Sequence, residues 1–472
     1  MPTREDIVAS EDLLLFVNAC FVCTGQSEYY GPAGAQSLSL RFLHRYIGGN
    51  YRRLYARTLA AGINHHNQAL VLRTLLASGA PAEPEARAEE GALIAAALRR
   101  LPAHRAWKLL GALVRDRVNN RRARAVARAF AQERRDLGFD ALKYRRHVRA
   151  VVRHFHIPLP EPEELPPFLF LGRRVRRYRT ERFEAWRQAW HSEEALYALP
   201  YTVAEGFAAH HRVPRARFLE RIQPMMTPGE RSRLMKTLGR HDVSADVDLR
   251  RMPLTRLCLY VLSLPRDQRE ARRAELEQAL ARCAEGVLAR RPLRLGRVAL
   301  VLDRSRSARG SHQKRNRPLA VALGTLALAR AAGQQARAFW TEDCNDPLLI
   351  DASGNTSLGR PLLDALDWQP GLVLIVSDGY ENGPPGAADE VARIHHARIG
   401  RRPLILHLNP VFDSERYAPR GLGPHIPTFG LRDAEDLPAV LQLARLAVGD
   451  LSLADVEAWL GACAARLLED AP

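Results

Sequence analysis

Asp303-Arg304-Ser305-Arg306-Ser307 sets one carboxylate and two hydroxyls at alternate positions of a short stretch. Further along, Gly354-Asn355-Thr356 adds a threonine hydroxyl, and Ser377-Asp378-Gly379 adds a second carboxylate. All five side chains of Asp303, Ser305, Ser307, Thr356 and Asp378 offer hard oxygen ligands, which suit an octahedral cation such as Mg²⁺. Two carboxylates are too few to enclose such an ion, so water or an outside acid completes its shell. Arg304, Arg306 and Arg309 crowd the same loop with positive charge, which works against a cation and in favour of an acidic partner.

Other chemistries lack their residues. No phosphate-binding G-x-x-x-x-G-K-[ST], no G-x-G-x-x-G after a strand and no G-x-S-x-G occurs, so nucleotide hydrolysis, dinucleotide chemistry and α/β-hydrolase chemistry have no support. The pairs His65-His66, His210-His211 and His395-His396 stand outside any H-E-x-x-H context and read as ordinary surface or hydrogen-bonded histidines. Of six cysteines only Cys20 and Cys23 are close, and one CxxC on an apolar helical stretch reads as core packing, not a zinc site. The acid pair offers no two-metal nuclease centre. The expectation is a protein that is not an enzyme.

The elements that must position these residues change character along the chain. From about residue 10 to 290 apolar residues recur at three and four, which predicts short helices in series, with breaks at 79–84 and at the prolines of 158–167. Such a series suggests stacked helical hairpins, a HEAT-like solenoid, although no clean sequence period is present. From Pro292 onward, apolar runs alternate with helical segments: strands at 297–303, 335–341, 372–377 and 403–408, helices at 318–332, 357–366, 387–399, 437–447 and 454–468. Continuous apolar strands separated by helices mean a parallel sheet covered on both faces, a doubly wound α/β fold. Ligands of such sheets bind beyond the carboxyl ends of the strands, where D-x-S-x-S and Ser377-Asp378 fall. The expected domains are therefore 1–291 and 292–472. That order of hydroxyls and acids, each on its expected element, resembles the metal-ion-dependent adhesion site of von Willebrand factor A domains. In that family the five positions hold the ion directly or through water.

Charge separates the two parts. The chain of 472 residues carries a net +18, and almost all of its positive residues are arginine, since only Lys108, Lys143, Lys236 and Lys314 are lysine. Residues 1–295 hold 51 lysines and arginines against 31 acids, and residues 296–472 hold 19 against 21, so the parts carry +20 and −2. The densest stretch, 101–150, has 14 basic residues against 4 acids. Arg121, Arg122, Arg124 and Arg128 fall at spacings that line one helix face, and Lys143, Arg145, Arg146, Arg149 and Arg153 do so on the next, followed by His154 and His156. Tyr144, Phe155 and Trp107 are candidates to stack on bases. A second strip, Arg173, Arg174, Arg176, Arg177, Arg179 and Arg182, extends the surface. Basic helices with interleaved aromatics fit single-stranded or structured RNA. The start of the chain has acids in place of a basic leader, and the run 13–24 is too short to span a bilayer. The expectation is a cytoplasmic, reduced protein without a membrane partner.

A helical half followed by an A domain resembles the Ro ribonucleoprotein family, whose helical part is the TROVE domain. Phe21-Val22-Cys23-Thr24-Gly25-Gln26-Ser27-Glu28-Tyr29-Tyr30-Gly31 is similar to its early apolar, Gly, Glu, Tyr-Tyr segment with a shortened spacing. Lys143-Tyr144-Arg145-Arg146 resembles its basic T-K-Y-K-type helix, while that region's Gly-Trp-Ser-His stretch is missing. Leu196-Tyr197-Ala198-Leu199-Pro200-Tyr201-Thr202 and Met252-Pro253-Leu254-Thr255 are similar to its later Pro-containing helices. The resemblance implies a closed ring of helical repeats pinned by the A domain. It also implies small structured noncoding Y RNAs on a basic outer surface, misfolded RNA 3′ ends in the central hole, and a 3′ exoribonuclease as partner. The missing Gly-Trp-Ser-His bears on the Y RNA contacts more than on general RNA binding. The alternative reading is an adaptor whose A domain engages a MoxR-type AAA+ ATPase, with the helical half as a protein scaffold; the polarised charge favours RNA.

Overall fold

A computed structural model describes residues 3–159, 164–241, 248–344, 346–447 and 452–469. Contacts divide the chain into two compact units, one holding the described residues of 1–67 and 248–466, the other those of 68–247 and 467–472.

The first unit is built on five parallel strands: β1 (Leu295–Leu302), β2 (Gly333–Trp340), β3 (Leu372–Val376), β4 (Leu404–Asn409) and β5 (Thr428–Gly430), in the order β2-β1-β3-β4-β5. Four of these fall where the sequence predicts strands, but only β1, β3 and β4 are buried apolar runs, whereas β2, at the sheet edge, is polar and half-exposed; the three-residue β5 is too short to show any pattern. Alternate residues of β1 serve opposite faces. Ala299 and Val301 join Val373, Ile375 and Ile405 in a core closed by Leu358, just before the helix Gly359–Asp367, by Leu362 and Ala365 of that helix, and by Ala388 and Ala392 of the helix Ala387–Arg398. Against the sheet's other side packs the helix Arg317–Ala332, which is apolar nearly all round because it is covered twice. Its outer side meets the helices Leu254–Val261 and Arg273–Arg290. The residue 291/292 junction therefore lies inside this unit.

The unit also takes in the start of the chain. Thr3 and Asp6 form a capping box that opens the helix Arg4–Val22. At its far end, the side-chain amides of Asn64 and Asn67 donate to the Cys20 and Cys23 carbonyls at 2.7–3.0 Å, satisfying acceptors that a helix end leaves open. Cys20 and Cys23 are fully buried, and burial pushes the Cys23 thiol up to about 12, so the pair is packing. This helix covers the exposed edge of β5. Asn18 Nδ2 donates to the Thr428 carbonyl at 3.0 Å, and its Oδ1 accepts from the Gly430 N–H. A β-carbon at Gly430 would stand 2.8 Å from the Asn18 carbonyl oxygen, so only glycine lets the backbones approach.

The second unit is a series of short helices. Pro84 opens one helix, and Pro166 and Pro167 sit in the first turn of Leu165–Phe170, where a missing N–H costs nothing. Pro160 and Pro162, also expected to break helix, lie outside the described residues. The helices Ala103–Arg115, Arg121–Gln132 and Arg145–Phe155 pack together around Trp107, whose indole N–H donates to the buried Asp140 carboxylate at 2.9 Å.

Candidate metal centre and nucleic-acid interface

The Asp303–Ser307 loop leaves the carboxyl end of β1 and is held from three sides. Its Asp303 N–H donates to the Val376 carbonyl at the end of β3 (3.0 Å), and Arg304 N–H to Thr341 Oγ1 beyond β2 (3.2 Å). Arg306 N–H meets the Gly354 carbonyl, while the Arg304 carbonyl accepts from Ser353 N–H, so the loops 303–307 and 353–356 are stitched together. Within the loop, Asp303 Oδ1 accepts from Ser305 N–H at 2.7 Å and Oδ2 from Ser305 Oγ at 3.1 Å, and the Ser305 and Ser307 hydroxyls lie 3.1 Å apart. Thr356 is gripped by Asn382, which accepts from its N–H at 3.0 Å and donates back to its carbonyl at 3.1 Å. Asp378 is followed by Gly379 at φ +79°, where a β-carbon would lie 2.3 Å from the Arg420 carbonyl oxygen. That glycine turns the chain so that Tyr380 N–H donates to Asp378 Oδ1 at 3.1 Å. Behind the site, the buried His407 bridges Ser377 Oγ (2.9 Å) and Thr428 Oγ1 (3.0 Å), fixing the end of β3 against β4.

All five candidate ligands are nearly inaccessible, between 2% and 5% exposed. Burial, reinforced by the Asp378 charge, pushes the Asp303 carboxyl well above the usual carboxylate range, and burial raises Asp378 as well. Asp378 Oδ2 is buried with no hydrogen-bond partner among the described residues. Two buried carboxylates that repel one another, one with an unmet acceptor, and hydroxyls beside them are the donor set of a hard cation. Among the described residues, no three His, Cys, Asp or Glu side chains are grouped to hold a metal, so a cation here would need the hydroxyls as ligands too. Of the crowding arginines, Arg304 is committed to the Asp343 carbonyl and the Ser353 hydroxyl at 3.0 Å each, whereas Arg306 and Arg309 are exposed. Sequence reasoning missed Asn382, Tyr380 and Tyr30, whose ring lies 4.1 Å from that of Tyr380. Only Tyr30 had a signal, as part of the Glu-Tyr-Tyr segment.

In the second unit the basic residues fall into two groups. Arg121, Arg124 and Arg128 lie at i, i+3 and i+7 on one helix, Arg146, Arg149 and Arg153 likewise on another, and the two helices pack against each other. These six are exposed and form no ion pair among the described residues, and the same holds for Arg173, Arg174 and Arg177. Arg173 lies over the Trp190 ring at 4.8 Å. The positive field is felt nearby: burial, then the charges of Arg115, Arg146 and Lys108, hold His147 below the usual histidine range.

The other candidates are already occupied. Arg122 is paired with the buried Glu90 carboxylate, and Lys143 Nζ lies 2.9 Å from Glu230 Oε1. Arg145 donates to the Phe168 and Leu169 carbonyls and stacks on Phe168 and Trp186. His154 bonds the Val118 carbonyl at 2.8 Å. These four hold helices together. The stacking candidates Phe155 and Trp107 are corrected outright: both are buried, because Phe155 continues the apolar stripe Val148, Val151, Val152 and Trp107 anchors the same interior. Tyr144 keeps partial exposure at the head of its helix.

No family model and no curated protein matches this sequence. The crystal structure of the Deinococcus radiodurans Ro (RSR) protein, however, superposes with a TM-score of 0.53, covering 92% of this chain and 99% of that one at 13% identity. The fold is Ro-like. Helical repeats with a parallel α/β sheet are thus the architecture expected from the sequence. Within this Ro-like fold the candidate metal centre sits at the carboxyl ends of β1 and β3, and the arginine rows lie in the helical unit. No helix among the described residues is long and apolar enough to cross a membrane.

Proposed function

We propose that this protein is a non-catalytic RNA-binding ribonucleoprotein core that holds a small structured, Y RNA-like noncoding RNA and the 3′ ends of misfolded RNA. The observation that carries the reading is the pair of packed helices whose arginine rows, Arg121/Arg124/Arg128 and Arg146/Arg149/Arg153, face solvent without an ion pair among the described residues. Solvated arginines in rows of this kind suit the repeated negative charge of a phosphate backbone. The Ro-like fold supports the same reading, and a 3′ exoribonuclease is the partner such a core would serve. In the sheet-bearing unit, Asp303, Ser305, Ser307, Thr356 and Asp378 would hold Mg²⁺, which supplies an open coordination position for an acidic group of a partner. The six cysteines are free thiols, the form a reducing compartment such as the cytoplasm maintains.

The test reverses charge at residues with no structural duty. Arg146→Glu, Arg149→Glu and Arg153→Glu together should weaken binding of a structured RNA. The slope of log K against log salt should fall by about 0.9 for each lost phosphate contact, so by roughly two to three units. Unchanged affinity and slope would remove this face from the site. Arg145 is unsuitable for this test because its reversal would unseat Phe168.

A further inference from the structure

The Gly25–Gly31 segment contributes nothing to the sheet or to either arginine row, yet it is tied to the metal loop's neighbourhood from nearly three hundred residues away. Ser27 N–H donates to Gln313 Oε1 at 2.9 Å, and the Ser311 hydroxyl donates to the Ser27 carbonyl at 2.8 Å. Glu28 pairs with Lys314, and both side chains are only 5% exposed. A buried ion pair gains little net energy over an apolar pair, but either charge left alone is strongly unfavourable, so the contact fixes position. Glu28 N–H then donates to the Gly31 carbonyl at 2.8 Å, closing a turn from which Tyr29 and Tyr30 project.

What that turn positions is Tyr30. Its ring lies 4.1 Å from that of Tyr380, two residues after Asp378, and Tyr380 is held in turn by Arg420 at 4.1 Å and by the Asp378 carboxylate. Through this stack the Tyr30 ring stands beside the Asp378 turn, and its phenol feels the Ser307 hydroxyl and the Asp378 charge. The side chain is 53% exposed, so it is not core packing. A half-exposed ring stacked on Tyr380, next to the turn that carries Asp378, is in position to act as a cap.

We propose that Tyr30 closes the solvent-facing side of the candidate metal centre as a chain-internal, displaceable oxygen donor, so that an outside carboxylate must displace its phenol to reach the ion. This rests on the reading of Asp303, Ser305, Ser307, Thr356 and Asp378 as a Mg²⁺ centre. A neutral phenol is a weak ligand for a hard cation, and a carboxylate is a strong one. The cap therefore yields to an anion and excludes neutral competitors.

The experiment uses the full-length protein, stripped with chelator and titrated with Mn²⁺. Binding is read from the electron paramagnetic resonance of free Mn²⁺, and access to the bound ion from water-proton relaxation with and without acetate. Mn²⁺ binding lost in Asp378→Ala locates the ion. Tyr30→Phe keeps the ring contact and removes the hydroxyl. It should raise relaxation by about one exchanging water and tighten acetate binding about three- to tenfold, as expected when a cap leaves its site open about a tenth to a third of the time. Tyr29→Phe should match the natural protein. Asp378-dependent Mn²⁺ binding with relaxation and acetate affinity indifferent to Tyr30→Phe and Tyr30→Ala overturns the cap alone. If Mn²⁺ does not bind in an Asp378-dependent way, the metal reading falls and the cap falls with it.

Discussion

Two histidines sit where a positive charge has no counter-ion. His44 is wedged between the Tyr55 hydroxyl (2.8 Å) and Asn67 Oδ1 (3.2 Å) with its ring edge-on to Phe16, and His407 spans β3 and β5. Burial pushes both down to about 4. In the unfolded chain each regains an ordinary pKa near 6.5, so between pH 6.5 and 4 the unfolded state binds more protons. Stability is then full above pH 6.5 and is lost as pH falls towards 4, by about 2 kcal/mol per histidine between pH 7 and pH 5. Urea unfolding midpoints at the two values check this, and His44→Gln should lower stability at pH 7 while flattening the pH dependence. An equal slope in that variant would assign the acid sensitivity elsewhere. At this scale the sequence is an uneven guide. Asp303, Ser305 and Ser307 are legible because their neighbours on the chain are also their neighbours in space. That Arg122, Lys143 and Arg145 are spent on Glu90, Glu230 and Phe168 is not, since each partner lies 23 to 87 residues away.

Among the elements, periodicity carried most of the information. The stripe Val148, Val151, Val152, Phe155 and the row Arg146, Arg149, Arg153 are opposite faces of one helix, and the phase of Phe155 within the first of them already marks it as interior. The apolar runs of β1, β3 and β4 announce buried parallel strands in the same way. β5 has no such voice: three residues make a strand only because β4 and the helix Arg4–Val22 flank them. That docking can be tested at Gly430. Gly430→Ala would place a methyl 2.8 Å from the Asn18 carbonyl oxygen and 2.9 Å from Val22 Cγ1. Backbone cannot yield as a side chain does, so the substitution should cost about 1–3 kcal/mol, read as a lowered unfolding midpoint. Full stability in the variant would mean that the helix sits further from the strand.

For the whole molecule, the sheet-bearing unit is discontinuous in sequence, and this was the feature least visible beforehand. Local patterns place a boundary near residue 291, whereas the helix Arg273–Arg290 buries Leu276, Ala279, Leu280, Ala284 and Val287 and packs on Arg317–Ala332. Long-range pairings of that kind leave no trace in periodicity. A fragment of residues 292–472 should therefore be poorly soluble and unfold without a cooperative transition. A chain joining 1–67 to 248–472 through a flexible linker should be soluble and melt cooperatively by circular dichroism. Cooperative melting of 292–472 alone at the temperature of the full protein would show that the flanking helices add little.

The helix Arg4–Val22 also sets a schedule for synthesis. It leaves the ribosome about 400 residues ahead of the strand that it covers, Thr428–Gly430. At ordinary elongation rates of about 5–20 residues per second, its apolar face waits roughly 20 to 80 s for its seat. During that interval Leu13, Phe16, Val17 and Phe21 have no native cover from the sheet. The nascent chain should thus be a client of chaperones that hold apolar segments at the tunnel exit, and faster elongation would ease that dependence.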